Sequence, residues 1–546
     1  MRFFRLLLAF ALLGAAQVKA EPREMVAAAH PAAVESGLTV LREGGSAIDA
    51  AVAVQMTLGV VEPQSSGIGG GGFLLYYDAK TRKITAYDGR ETAPAGAKPT
   101  MFLGTDGRPM PFREAIASGL SVGVPGVVSM LELAHTDHGR LPWGDLFKPA
   151  IGVARSGFTV SSRLAYWLGA VKSFADDPQA RAIYYDTNGA PRKLGDRVVN
   201  VPLADTLQLI SEWGTKSLLQ GPLAEEMVAR VRGNVRPGTL SLEDLASYKP
   251  VKREPVCGRY RVWIVCGMPP PSSGGVAVLE TLALLEPFDL SRDEPNSLRS
   301  LHLIAEASRL AFADRARYLA DPAFVPVPVE RLLSADYLDE RRKLISPDRA
   351  MSGEKPVQPG YVEHGTSNIT IVDRYGNAVA FTTSIEQAFG AQMMVGGFIL
   401  NNELTDFSEV AERNGQPVAN RVQPNKRPRS SMSPTVVLTA NRELVLAVGS
   451  AGGPRIIGDT LHALIGMLDW NLSAQAALDL PRVLNLNGRT ELEDKAPLPA
   501  MAEGLRKLGH EVQVRRHESG LTAIRREGDG WQGGADPRRD GVARGE

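Results

Sequence analysis

Apolar and polar positions near the start of the chain fall into two helical runs followed by a hairpin. Residues 31–42 have helical composition, with Pro31 suited to a first turn and Gly44-Gly45 to a stop. Ser46 and Asp49, three residues apart and ahead of the apolar run 50–58, read as the capping box of a second helix. Residues 73–77 and 83–87 then read as the strands of a hairpin, which delivers Arg90 just past the end of the second strand. Helical stretches dominate the middle of the chain, including 301–319. The pattern lapses over 346–365, where proline, glycine and charged residues predict an exposed and mobile connection.

Residues 369–372 and 378–381 flank Arg374-Tyr375-Gly376, a three-residue hairpin loop with glycine at its left-handed position. That loop sets Asp373 opposite Asn377, and counting outward brings Thr366 opposite Ser384, one hydroxyl facing another. Strict alternation along the strand places Glu386 on the same face as Ser384. Another hairpin joins 434–439 to 443–448 around Ala440-Asn441-Arg442. The glycine-rich turn 449–453 then leads into a helix from about Arg455. This order presents backbone N–H groups at a positive helix end, which suits an anion or a developing oxyanion.

With 546 residues and 22% charged residues the chain can bury a large core, and neither disorder nor a disulfide-stapled miniprotein fits. Lysine plus arginine equals aspartate plus glutamate at 61 each, and no long basic stripe supplies the counterion release that nucleic-acid binding needs. A small-molecule or peptide substrate is therefore expected, and Lys426-Arg427-Pro428-Arg429 reads as a solvated loop. Arg2 and Arg5, the apolar run 6–16 and Val18-Lys19-Ala20 predict a signal peptide over 1–20. The apolar run is shorter than the roughly 18 to 20 residues of a spanning helix, so export to the periplasm or beyond without an anchor is expected. Cys257 and Cys266 would meet that oxidising setting, but their symmetric pairing needs a turn at Arg261-Val262, poor turn residues, so a disulfide is left open and would need the chain to fold back elsewhere.

Several motifs lose force in context. Residues 67–72 satisfy G-x-G-x-x-G, but 62–66 form no strand and strand composition follows where a helix should open, so a tight turn beside the site is the better reading. Gly119-Leu120-Ser121-Val122-Gly123 matches the G-x-S-x-G elbow, yet no buried strand leads into Ser121 and Pro125 follows directly. His135 and His138 share a helical face without a third metal ligand at a standard spacing. A threonine at a new N-terminus needs no triad, because its α-amino group, with a reference pKa of about 7.7 to 8.0, accepts the hydroxyl proton near neutral pH. Thr366 is internal, so this chemistry requires a cut after Gly365, whose missing β-carbon permits a twisted backbone at the attacked carbonyl.

Thr366-Ser367-Asn368-Ile369, the run 401–408, Pro424-Asn425-Lys426-Arg427-Pro428, Ser430-Ser431-Met432 and Gly452-Gly453 resemble the gamma-glutamyltransferases. Residues 89–94, 268–275 and Asp536-Pro537-Arg538 carry the resemblance along the chain, in the family's order. It implies an α+β fold, a four-layer αββα sandwich of the N-terminal-nucleophile hydrolase type. It implies one chain cut between Gly365 and Thr366 into paired subunits of residues 21–365 and 366–546. The implied reaction moves a gamma-glutamyl group, as from glutathione, onto Thr366 as an ester and then to water or to the amine of an amino acid or peptide. No cofactor is required.

By position, the resemblance puts Thr366 and Ser384 in the chemistry and makes Gly452 and Gly453 the oxyanion hole. Arg90 would bind the substrate α-carboxylate, Glu403 and Asp406 its α-ammonium, and Ser430 and Ser431 would hydrogen-bond the carboxylate. Glu386 stands where typical members carry asparagine, and with Glu403 and Asp406 it opposes Arg90 alone, which predicts an acidic binding site. The lid region 409–423 looks shorter than in many members and holds no aromatic residue, which predicts an open site and hydrolysis over transpeptidation. A related acylase for another acyl chain, such as a glutaryl amide, and an uncleaved, non-enzymatic exported binding protein are the alternatives.

Overall fold

The computed structural model describes residues 22–351 and 365–546. The predicted signal peptide lies outside the described residues, as does most of the connection ahead of Thr366. Pro31–Arg42 is a helix with proline in its first turn. Ser46 caps Ala47–Val61 by accepting the Asp49 N–H at 3.2 Å, and the Asp49 carboxylate accepts the Ser46 N–H at 2.8 Å. This second helix has no polar stripe because it is covered by the first helix on one side and by sheet strands on the other.

A seven-stranded antiparallel sheet runs in the order Val542–Gly545, Met25–Ala28, Gly365–Val372, Ala378–Glu386, Gly71–Asp78, Lys83–Asp88, Val251–Arg253. Its central hairpin has the expected register, with Thr366 opposite Ser384 and Gly376 left-handed at φ 83°. Asp373 fixes the turn: its Oδ1 accepts the backbone N–H groups of Tyr375 and Asn377, each at 2.9 Å. Beyond Ser384 the alternation fails. A β-bulge sets Glu386 opposite Gly365 at φ 76°, so Glu386 does not continue the face of Thr366 and Ser384.

A six-stranded antiparallel sheet runs Gly530–Ala535, Thr522–Glu527, Leu444–Gly449, Thr435–Leu438, Trp263–Gly267, Val256–Tyr260. Here Cys257 faces Cys266 and the two form a disulfide, with Cα atoms 4.1 Å apart. The turn judged unsuitable does form, with Arg261 left-handed at φ 54°. Tertiary bonds offset its cost of about 1 to 2 kcal/mol. The Arg261 N–H donates to the Glu286 carboxylate at 3.1 Å, and its guanidinium donates to Asp469 Oδ1 at 3.0 Å and to the Phe288 carbonyl at 2.7 Å.

Each sheet buries both faces. Phe73, Leu75 and Ala86 of the first sheet share a core with Val436, Ala447 and Ile524 of the second. Leu74, Ile371 and Phe381 point the other way, into a core with Leu38, Leu41 and Val52 of the N-terminal helices. Val265, Val437 and Leu446 of the second sheet pack on the helices Gly274–Leu285, Leu298–Tyr318 and Arg455–Leu468 through Leu282, Ile304 and Leu461. Among the described residues no helix is long and apolar enough to cross a membrane.

Candidate active site

The hairpin register places two buried hydroxyls together: Thr366 Oγ1 lies 3.1 Å from Ser384 Oγ. Ser384 donates its hydroxyl proton to the Gly365 carbonyl at 2.7 Å and accepts the Glu386 N–H at 2.8 Å. With that proton committed, the Thr366 hydroxyl is the donor to Ser384. The hydroxyl and the carbonyl on either side of the Gly365–Thr366 bond therefore meet at one serine. Crowding excludes a side chain at Gly365. A β-carbon there would stand 2.4 Å from the Gln387 carbonyl oxygen and 2.6 Å from that of Glu386.

Residues 67–70 of the glycine run make the expected tight turn, and Gly71 and Gly72 open the strand Gly71–Asp78. Gly71 pairs with Ser384 in the sheet, and a β-carbon on Gly70 would fall 2.1 Å from the Ser384 carbonyl oxygen. Ser121 is buried and spends its hydroxyl on the carbonyls of Ile116 and Ser118, both at 2.8 Å. His135 bonds the Leu141 carbonyl at 2.9 Å, and His138 stacks on Tyr76 at 4.0 Å between ring centres.

Two asparagines join the loop at 401–408 to the rest of the site. Asn401 accepts the N–H groups of Gly123 and Glu403, each at 3.0 Å, and donates to the carbonyls of Gly69 at 2.8 Å and Gly123 at 2.9 Å. Asn402 accepts the Gln387 N–H at 2.9 Å and donates to the Glu386 carboxylate. The other Glu386 oxygen accepts Gln387 Nε2 at 2.9 Å, so two side-chain amides hold this buried carboxylate.

The same loop carries Glu403 and Asp406 to Arg90. Nη1 of Arg90 pairs with Glu403 and Nη2 with Asp406, while Nε and Nη2 also donate to the carbonyls of Pro428 at 3.1 Å and Arg429 at 3.2 Å. Residues that the resemblance assigns to opposite ends of a substrate thus meet as an internal ion pair. Arg90 and Glu403 are buried, and Asp406 keeps 27% side-chain exposure, so the cluster opens on the Asp406 side. Glu91, which the sequence reading passed over, is buried with Oε2 3.9 Å from Arg90 Nη1. Burial and the charge of Glu403 hold Glu91 well above the usual carboxylate range. Burial pushes Glu403 up to about 7, against the pull of Arg90 and with the help of Asp406. Burial also opposes the Arg90 charge, but Glu403, Asp406 and Glu91 outweigh it and keep the guanidinium protonated.

Arg90 is not the lone cation that was expected. Arg315, partly buried, donates to Ser431 Oγ at 2.6 Å and Ser273 Oγ at 2.8 Å. Arg429 donates to the carbonyls of Arg315 at 3.1 Å and Leu319 at 3.4 Å, at the C-terminal end of the helix Leu298–Tyr318, where a cation suits the helix dipole. The charge of Asp406 bears on both arginines. No local signal points to Arg315, which is 116 residues from Ser431. Ser430 turns inward instead: its hydroxyl accepts the Met432 N–H at 3.1 Å and its carbonyl accepts the Ser273 hydroxyl at 2.6 Å.

The glycine turn leaves the strand Leu444–Gly449 with Gly452 at φ 134° and Gly453 at φ 63°, and the helix Arg455–Leu468 follows. It lies close to the strand Gly365–Val372. A β-carbon on Gly449 would stand 2.3 Å from Asn368 Oδ1. Arg539 donates to the Thr366 carbonyl at 2.5 Å and borders Gly520, which in turn borders Ala451 of the turn. The site therefore combines a hydroxyl set against a peptide bond, a glycine turn nearby, and a mixed-charge cluster suited to a small zwitterion.

The sequence profile of the gamma-glutamyltranspeptidase family matches residues 33–546. A Glutathione hydrolase proenzyme from Bacillus subtilis (strain 168) is 39% identical over 542 residues, which covers 95% of this chain and 91% of that protein. The crystal structure of cephalosporin acylase from Bacillus halodurans is similar with a TM-score of 0.84 at 29% identity, over 98% of this chain and 99% of its own. The crystal structure of Helicobacter pylori gamma-glutamyltranspeptidase gives a TM-score of 0.57 at 37% identity, over 59% of this chain and 91% of that one. The chain belongs to the gamma-glutamyltranspeptidase family and is an enzyme of its hydrolase and transferase type.

Proposed function

We propose that this enzyme is exported, cuts itself before Thr366, and then cleaves gamma-glutamyl amides such as glutathione through an ester on that threonine. The observation that carries the reading is the Ser384 hydroxyl, which donates to the Gly365 carbonyl while lying 3.1 Å from Thr366 Oγ1. When Thr366 Oγ1 adds to that carbonyl, the Ser384 proton already points at the oxygen where negative charge develops. Collapse breaks the C–N bond as the proton given up by the Thr366 hydroxyl passes to the departing nitrogen, leaving Gly365 as an ester on Thr366 and the Thr366 amine free. Water then hydrolyses the ester, releasing the Gly365 carboxylate and restoring the Thr366 hydroxyl. The freed amine serves as the base for turnover. The large subunit 21–365 and the small subunit 366–546 would stay joined, because the central hairpin pairs with strands from the earlier part of the chain on both sides. The two packed sheets with outer helices form the four-layer αββα arrangement in this reading. The Cys257–Cys266 disulfide supports export to an oxidising compartment.

A gamma-glutamyl donor carries both an α-carboxylate and an α-ammonium. In exchange for the internal pairing of Arg90 with Glu403 and Asp406 it offers a matching pair, so the buried charge stays balanced. Because Arg315 donates to Ser431 Oγ, the Ser431 proton is left for the carboxylate. The N–H groups of Gly452 and Gly453 would receive the oxyanion of the turnover step. A glutaryl donor has no ammonium and leaves the two carboxylates uncompensated. It remains the second reading, favoured by the full-length likeness to a cephalosporin acylase.

Intact-mass analysis of the wild type and Thr366→Ala, followed by a gamma-glutamyl anilide assay, tests the reading. The wild type should yield two subunits, the smaller beginning at Thr366, and Thr366→Ala should stay uncut and inactive. A mutant that still cleaves and turns over would sink it. Faster release of a glutaryl anilide than of the gamma-glutamyl anilide would select the second reading.

A further inference from the structure

The main chain of Thr366 is gripped by a residue close to the other end of the small subunit. Arg539 Nη1 donates to the Thr366 carbonyl at 2.5 Å, across 173 residues of sequence. Its neighbour Arg538 is taken up by ion pairs with Glu493 and Asp536, whereas Arg539 turns toward the nucleophile. By covalent geometry the nitrogen of Thr366 lies no more than about 3.6 Å from its own carbonyl oxygen, so the guanidinium sits within about 6 Å of that nitrogen.

Building on the function proposed above, we infer that Arg539 is a positioning residue for Thr366 and that its charge keeps the α-amino group freed by cleavage in its basic form near neutral pH. A cation this close disfavours the ammonium and so lowers the pKa of the amine. The hydrogen bond fixes the Thr366 carbonyl, and with it the rotation that aims the amine at the hydroxyl.

Arg163 shares this sign, whereas the carboxylates of Asp540 and of Glu386, which lies opposite Gly365, act against it. Arg163, from the helix Ser162–Ala170, adds a second cation, with Nη1 3.6 Å from Glu518 Oε2 and Nε 4.0 Å from Glu62 Oε1. Glu62, at the end of the helix Ala47–Val61, bonds the Ser367 hydroxyl at 3.0 Å and is pushed by burial toward its neutral form. Asp536 is occupied by Arg538 and by Ser519, and Asp540 accepts the Ser162 hydroxyl at 3.0 Å. Burial and Arg163 bring Arg539 down to about 10, which leaves it charged at neutral pH.

The test uses the full chain with Arg539→Gln, Arg539→Lys and Arg163→Gln, reading subunit masses and the pH profile of kcat at saturating gamma-glutamyl anilide, where the titration of Glu403 in substrate binding does not enter. Arg539→Gln keeps an N–H donor but loses the charge, so the acid limb should move up by on the order of one pH unit. Arg539→Lys should leave the limb in place, and Arg163→Gln, one step farther from Thr366, should raise it by less. A purely structural role would lower the rate without moving the limb. If Arg539→Gln does not fold, Arg163→Gln still decides. Cleaved variants whose acid limb superposes on that of the wild type overturn this inference alone. A wild type that stays uncut and inactive overturns it together with the function it rests on.

Discussion

The hydroxyl pair Thr366 and Ser384 and the charged cluster around Arg90 belong to one site but are assembled in opposite ways. The hydroxyls are 18 residues apart, neutral, and set opposite each other by a three-residue turn. Arg90 meets Glu403 and Asp406 across 313 and 316 residues, and these groups carry charge into a buried place. A register is nearly all-or-none, because a slip by one residue turns every side chain to the other face. A buried ion cluster depends instead on each partner being present, since a lone charge left behind is costly. The neutral half should therefore tolerate substitution with little loss of stability and a large loss of chemistry, while the charged half should lose both.

Stability offers the largest contrast. Arg90→Met leaves the buried Glu403 and Glu91 without their cation, and should lower the unfolding free energy by about 3 to 5 kcal/mol in urea titration. Thr366→Ala removes one hydroxyl from a serine that keeps the Gly365 carbonyl, so it should cost about 1 kcal/mol. Equal losses for the two variants would break the comparison.

Next in size is the chemistry of the neutral half. Ser384→Ala removes the donor to the Gly365 carbonyl and should slow self-cleavage through a barrier increase of about 2.7 to 4 kcal/mol, followed as the appearance of two bands on a denaturing gel over time. Cleavage at the wild-type rate would show that Ser384 is only a packing partner.

A smaller effect comes from the titration of Glu403. Its pKa, raised to about 7 chiefly by burial, means that the neutral form prevails below that pH and the carboxylate above it. KM for a gamma-glutamyl anilide should therefore rise as pH falls through 7, as the negative charge facing the substrate ammonium is lost. Glu403→Gln should hold KM at the high value with no step between about pH 6 and 8. A step that survives in this variant would assign the titration to another group.

Local rules carried the sequence reading as far as the turns reach. The Ser46 capping box, the left-handed Gly376 and the pairing of Thr366 with Ser384 each depend on residues within a few positions of one another or on a count outward from a tight loop. The same rules failed where tertiary contacts outweigh local preference. The bulge at Glu386 moves that side chain off the predicted face, into the grip of Asn402 and Gln387. Arg261 adopts a turn it disfavours because Glu286, Asp469 and Phe288 bind it, and this allows the Cys257–Cys266 disulfide.

By itself, then, the sequence determined the central hairpin, the facing hydroxyls, the glycine turn and the family to which they belong, because these follow from short-range backbone geometry and from motifs that stand in order along the chain. Only the tertiary structure decided that Arg90 closes on Glu403 and Asp406, that Arg315 reaches Ser431, and that Arg539 holds the Thr366 carbonyl. Charge interactions act through space and through burial, and neither quantity is written in the spacing of residues along a chain.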